Sequence, residues 1–188
     1  ATQAGQNGVC IYTVGFGDPN IGFDSIDEGF LAEVANASGC GAYYNAVNAI
    51  DLANVYVELR HVSTGNIVFQ QSGQISQGQQ LDLGQFEVPE NQEIMLFTLN
   101  WPGSKLQAVI KDPSGTTVDP NYPGASISEA STLLSIILDN PKAGNWTIGV
   151  VGVDVPEGTT VYNTIISTRA GAAIPPPTKS GSFPIVII

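Results

Sequence analysis

Carboxylates, two cysteines and a few aromatic rings are what this chain offers to chemistry. Asp18, Asp24 and Asp27 crowd the stretch after the first apolar run. Their hard oxygen ligands suit calcium, although loop acids and the acidic start of a helix give the same pattern. No EF-hand spacing joins them. Asp112, Asp119, Asp139 and Asp154 fall in turn-forming sequence, where aspartate commonly accepts hydrogen bonds from its own backbone; Asp112 is kept as a further calcium candidate. Calcium is the only ion suggested, and no other cofactor is expected. Nucleophilic catalysis needs a base, usually histidine. The chain has one, His61, placed where a helical pattern closes and expected to be partly exposed. No Gly-x-Ser-x-Gly elbow or phosphate-binding loop occurs, and Gly15-Phe16-Gly17 reads as the exit of a strand. The expectation is a protein without enzymatic activity. Trp146 lies in a strongly alternating segment and reads as core. Trp101, before Pro102-Gly103, and Tyr122, in Asn121-Tyr122-Pro123, remain as ligand-stacking candidates. Cys10 and Cys40 are open to several readings: reactive thiols, half a metal site, buried thiols or a disulfide. One histidine and two distant cysteines make no zinc spacing.

The elements that would hold these residues change character along the chain. Val9–Gly17 is a β-branched apolar run ending in glycines, expected to be a buried strand. Phe30, Leu31, Val34 and Ala35 share a helical face behind Asp27 and Glu28. A β-prone piece, Ala42–Val47, follows, and then a second helix with Leu52, Val55, Tyr56 and Leu59 at helical spacing. From Gly65 the period becomes two. Strands are expected at Ile67–Gln71, Gln80–Val88, Glu93–Trp101, Leu106–Lys111, Thr132–Leu138, Trp146–Val153 and Thr160–Thr168, separated by Gly, Pro, Asn and Asp turns. Such strands argue for an antiparallel β-sandwich, jelly-roll-like in connection. The fold class is therefore α+β: an α/β unit over 1–62 docked on a sandwich over 63–170. A proline-rich arm and apolar tail occupy 171–188.

The succession "IYTVGFGD", "LAEVANASGCGAYYNA" and "AIDLANVYVELRH" resembles the C-terminal end of a von Willebrand factor A (VWA) domain. That likeness covers Val9 to about His61 and implies a partial α/β unit. The family's metal-binding Asp-x-Ser-x-Ser loop has no counterpart in these residues, so its metal site carries over to none of them. "FTLNWPGSKLQAVIKDPSGTTV" and "NPKAGNWTIGVVGVDVPEGTTVY" look like the accessory sandwiches of secreted microbial proteins, the pre-peptidase C-terminal and proprotein-convertase P-type modules. Those modules bind, space or stabilise. Since both cysteines lie in the VWA-like piece, at a strand start and a helix end, a Cys10–Cys40 disulfide is the favoured reading, and it implies export.

Composition agrees with that placement. Charged residues are 12% of the 188, with 21 glycines and 12 prolines, a turn-rich profile suited to an extracellular β protein. The net charge of -11 repels nucleic acid and anionic membrane. No apolar run reaches the roughly 20 residues that span a bilayer. With neither an initiator Met nor a leader, the chain reads as a mature or excised segment. The function expected is a non-enzymatic surface, adhesion or assembly module at the cell surface or outside the cell, working through protein contacts. A self-assembling subunit of a filament, sheath or surface layer is one alternative. A carbohydrate- or calcium-binding accessory domain of a secreted hydrolase is the other. Phe183, Ile185, Val186, Ile187 and Ile188 form a β-prone tail. They are expected to add as a strand to the open edge of the Val9–Gly15 segment, in the same or a neighbouring copy.

Overall fold

The computed structural model describes residues 1–17 and 26–171. A short helix, α1 (Thr2–Gln6), precedes β1 (Thr13–Phe16), α2 (Glu28–Asn36), β2 (Tyr43–Ala46) and α3 (Ala49–Thr64). Eight strands follow: β3 (Asn66–Ser76), β4 (Gln80–Val88), β5 (Gln92–Asn100), β6 (Lys105–Lys111), β7 (Ala125–Glu129), β8 (Leu133–Asp139), β9 (Gly144–Asp154) and β10 (Thr159–Ala170).

Alternating apolar residues make the sandwich. One sheet runs β3-β10-β5-β8-β7 and the other β4-β9-β6, with every pairing antiparallel. Met95, Phe97 and Leu99 of β5, Ile166 of β10 and Leu134, Ile136 and Leu138 of β8 meet Trp146, Ile148 and Val150 of β9 and Phe86 of β4. Large side chains removed from water in this way contribute about 1.5–3 kcal/mol each.

The opposite face of β5 and β10 is buried as well. Leu96, Thr98 and Asn100 point there from β5, and Asn163, Ile165 and Ser167 from β10; none exceeds 8% exposure. The cover is α3, packed against β10, β5 and β3. The helix and β3 meet without a linker. Gly65 alone separates them, and a Cβ there would lie 2.1 Å from the Thr168 carbonyl oxygen. Residues 62–64 thus belong to α3.

β1 and β2 form a parallel pair joined through α2, in register from Thr13↔Tyr43 to Phe16↔Ala46. The expected buried strand over 9–17 is shorter and shallower than its apolar run suggests. Only Gly15 of β1 is buried, because a single neighbouring strand covers it. β7 was not expected from sequence, and neither was α1. The 172–188 segment, with Phe183, Ile185, Val186, Ile187 and Ile188, lies outside the described residues. No helix among the described residues is long and apolar enough to cross a membrane.

Candidate functional site

The residues that could do chemistry in the sandwich are engaged by the protein itself. Asp112 follows β6, and its side chain has no solvent exposure. Its Oδ1 accepts from the backbone N–H of Ser114 (2.9 Å) and Thr116 (2.8 Å). Its Oδ2 accepts from the Tyr122 hydroxyl (3.0 Å) and pairs with the Lys142 ammonium. Burial opposes ionisation of this carboxyl. Lys142, the Thr116 amide, the Tyr122 hydroxyl and the Ser114 amide outweigh it and bring the pKa down to about 2. Lys142 supplies the positive charge expected from calcium, so Asp112 acts as a turn hub. Nothing in the sequence pointed to Lys142, thirty residues away.

Tyr122 is drawn into the same hub and is not a free stacking surface. Its ring meets Trp146 edge-on at 6.3 Å, and burial, followed by the bond to Asp112, raises its hydroxyl to about 12. Trp101 is corrected too: it is 3% exposed, with its indole N–H given to the Ser104 carbonyl. Trp146 is fully buried and donates to the Lys142 carbonyl at 2.8 Å. Asp27 caps α2, accepting from Phe30 N–H at 2.8 Å. Asp18 and Asp24 lie outside the described residues. Among the described residues no group of three or more His, Cys, Asp or Glu is placed to hold a metal.

His61 is buried between α3 and the sheet, against the expectation of partial exposure. Nδ1 lies 2.8 Å from Ser167 Oγ and Nε2 2.7 Å from Thr98 Oγ1. A histidine beside a serine hydroxyl resembles a base–nucleophile pair, but all three residues are at 0% exposure. Burial, with the Arg60 charge second, lowers the imidazole pKa to about 4. At neutral pH it is an uncharged clamp holding helix to sheet.

Most of the exposed large apolar side chains belong to the unit that ends with α3. Cys10 and Cys40 are joined in a disulfide. Buried Ser38 knits the loop around it, accepting from Ile11 and Gly41 N–H (both 3.1 Å) and donating to Ala35 O (2.7 Å). Thr13 N–H reaches Ala42 O and Gly17 N–H reaches Ala46 O. Alternation in a parallel ladder then turns the N–H and C=O groups of Val14 and Phe16 to the opposite edge of β1. No described residue forms a strand there. Of the ten large apolar side chains exposed among the described residues, seven lie in this unit, and Phe16, Phe30 and Tyr56 each show more than half their surface.

A second feature is an open groove of about 870 Å³ on the outer face of the smaller sheet, floored by Gln85, Thr147, Lys111 and Gly149. It carries polar side chains and no aromatic ring. No family model matches the chain, and no curated protein matches it. Among solved structures, the chain is similar to a Bacillus licheniformis lipase, BlEst2, in its propeptide form. The identity is 17% and the TM-score 0.41, over 55% of this chain and 22% of the lipase chain. So slight a likeness carries no argument about fold or activity.

Proposed function

We propose that this chain is a non-enzymatic extracellular interaction module whose β1 edge takes up a strand from another polypeptide segment. The observation that carries the reading is the half-paired parallel ladder. Parallel sheets are normally wider than two strands and covered on both faces, whereas β1 has one neighbour among the described residues and ends on the exposed Phe16. An added strand would satisfy the Val14 and Phe16 backbone groups and cover Phe16. The VWA resemblance supports the same reading, since a partial sheet of that kind calls for an inner neighbour at this edge. The disulfide supports an oxidising compartment. In the sandwich, the order β3-β10-β5-β8 over β4-β9-β6 follows jelly-roll connection with β7 moved to the larger sheet.

Within this chain the segment suited to strand addition is 183–188, five apolar, β-prone residues and Pro184 after a proline-rich arm. Sedimentation of the full chain and of a 1–182 truncation tests it, with hydrogen exchange at Val14 and Phe16. Concentration-dependent association that the truncation abolishes, together with protection of those two amides, is the expected result. Two monomers with freely exchanging edge amides would exclude self-addition.

A further inference from the structure

Four strands bound the two sheets of the sandwich: β3 and β7 in the larger, β4 and β6 in the smaller. An exposed edge invites another strand unless it is short, charged, bulged or broken by proline. Three of the four are protected in this way. β7 has five residues and ends on Glu129, and β6 carries Lys105 and Lys111 at its two ends. β4 holds Asp82 and Glu87 and bulges between Asp82 and Gly84. β3 runs for eleven residues with neither a charge nor a proline. Gln70, Gln71, Ser72 and Gln74 are exposed along it.

The hydrogen bonds at the end of β3 show which of its backbone groups are open. Gln77 N–H goes to the Gly158 carbonyl, on the side of β10, and Ser76 N–H goes the other way, to Gln79 Oε1 at 2.9 Å. Alternation then turns the N–H and C=O groups of Gln74, Ser72 and Gln70 outward, where no described residue forms a strand. Both ends of this open stretch are marked. Gln79 occupies the edge at Ser76. Val68 is a bulge without a partner in β10, since Phe69 stands opposite Ile166 and Ile67 opposite Ser167. The regular open edge is therefore 69–75, and Ser72 is its middle residue.

We infer that β3 is a self-recognition surface, on which a second copy of this chain pairs its own β3 antiparallel about a two-fold axis through Ser72. That register sets Ser72 opposite Ser72 and Gln70 opposite Gln74 of the second copy, each pair exchanging two backbone hydrogen bonds. Between them Gln71 meets Gly73, which puts no side chain in its way, and Phe69 meets Ile75, apolar against apolar. A strand that fits its own reverse residue by residue favours a copy over a foreign peptide. Charge favours it as well. The net charge of -11 keeps copies apart elsewhere, and along 69–75 no charged side chain opposes another. The two five-stranded sheets join into one, and the two-fold closes the assembly at a dimer. The inference is independent of the β1 edge.

Pairing over 69–75 buries less than a standard interface of ~1,600 Å², so a weak dimer is expected, with a dissociation constant of roughly 0.1–1 mM. Amide NMR of the full chain across that concentration range tests it. The Gln70, Ser72 and Gln74 amides are expected to shift with concentration and to gain protection from exchange, whatever happens at Val14 and Phe16. Three double variants check the register, at exposed positions where substitution leaves the fold intact. Gln70→Glu with Gln74→Glu twice sets like charges opposite each other and is expected to weaken pairing on the order of tenfold. Gln70→Lys with Gln74→Lys reduces the negative charge of the chain yet opposes lysines in the same way, and is expected to weaken pairing equally. Gln70→Lys with Gln74→Glu brings unlike charges together and is expected to restore it. β3 amides indifferent to concentration would overturn the inference. So would pairing that survives in the two like-charged variants, or that the mixed variant fails to restore.

Discussion

The half-exposed ammonium of Lys142 ends on a carboxylate, Asp112, whose side chain is wholly buried. The two bring together the turn after β6 and the loop before β9, and Tyr122 and Trp146 are tied to the same point. Asp112→Ala removes the acceptor of two backbone amides, a hydroxyl and an ammonium. It is expected to destabilise the sandwich by about 3 kcal/mol, measured by urea unfolding with tryptophan fluorescence as the probe of Trp146. A change below about 0.5 kcal/mol would show the hub to be ornamental.

The same hub predicts a loss of stability in strong acid. The folded pKa of Asp112 is depressed, from the ordinary 3.8 to about 2. Its contribution is therefore complete above pH 4 and disappears as pH falls from about 4 through 2. Unfolding midpoints of Asp112→Asn are expected to be flatter than those of the parent chain in that window.

His61 titrates earlier and with a separate signature. Its pKa falls from 6.5 unfolded to about 4 folded, so between those values the unfolded chain binds the extra proton. Stability is full above about pH 6.5 and declines as pH drops to about 4, by up to roughly 3 kcal/mol. His61→Gln retains hydrogen-bonding capacity without a titrating ring and is expected to remove this slope. An unchanged slope would place the acid sensitivity elsewhere.

Reduction of Cys10–Cys40 should raise the intact mass by two hydrogens. The loop it closes spans thirty residues, for which chain-entropy arguments give about 3–4 kcal/mol. Because the bond staples the β1–α2–β2 unit and touches none of the sandwich core, hydrogen exchange is expected to accelerate in 10–46 and not in β5 or β9. Uniform acceleration across the chain would show the two parts to be one cooperative unit.

Trp146→Ala is expected to cost about 3–5 kcal/mol, the largest single effect in the smaller sheet, since that ring is fully buried and packs on Phe86 and Tyr122. Chemical denaturation of the variant measures it. A cost below 1 kcal/mol would mean that the core collapses around the gap.

Period-two alternation made β4, β5, β6, β8, β9 and β10 legible, since each carries apolar residues on the core face. β7 has one large apolar residue, Ile127, and sits at a sheet edge, so its pattern is that of a loop. That the first unit docks on the sandwich was expected, but the sheet face that receives α3 was not legible. Thr98, Asn100, Asn163 and Ser167 are polar, and polar residues alternating with apolar ones look like a solvent-facing side. They instead face a helix whose His61 meets Thr98 and Ser167 and whose Asn54 accepts from Asn100, while Asn163 is bonded by Ser72 of β3. His61 was expected to be partly exposed because it closes the helical pattern, and the polar sheet face that buries it leaves no mark on that pattern. The Asp112–Lys142 pair depends on which turns the sheets bring together, and no local pattern encodes it.

Gly65 has a mechanical consequence. The first unit enters the sandwich through β3, and the chain leaves through β10. Asn66 and Thr168 are partners at the same end of those neighbouring antiparallel strands. Tension applied between the two attachment points therefore pulls the ladder apart one rung at a time, the weakest direction for a pair of strands, instead of shearing all rungs together. The first resistance it meets is not the β3–β10 ladder but the seat of α3, where His61 grips Thr98 and Ser167 on two strands. Under load, that imidazole is the latch, and acid loosens it.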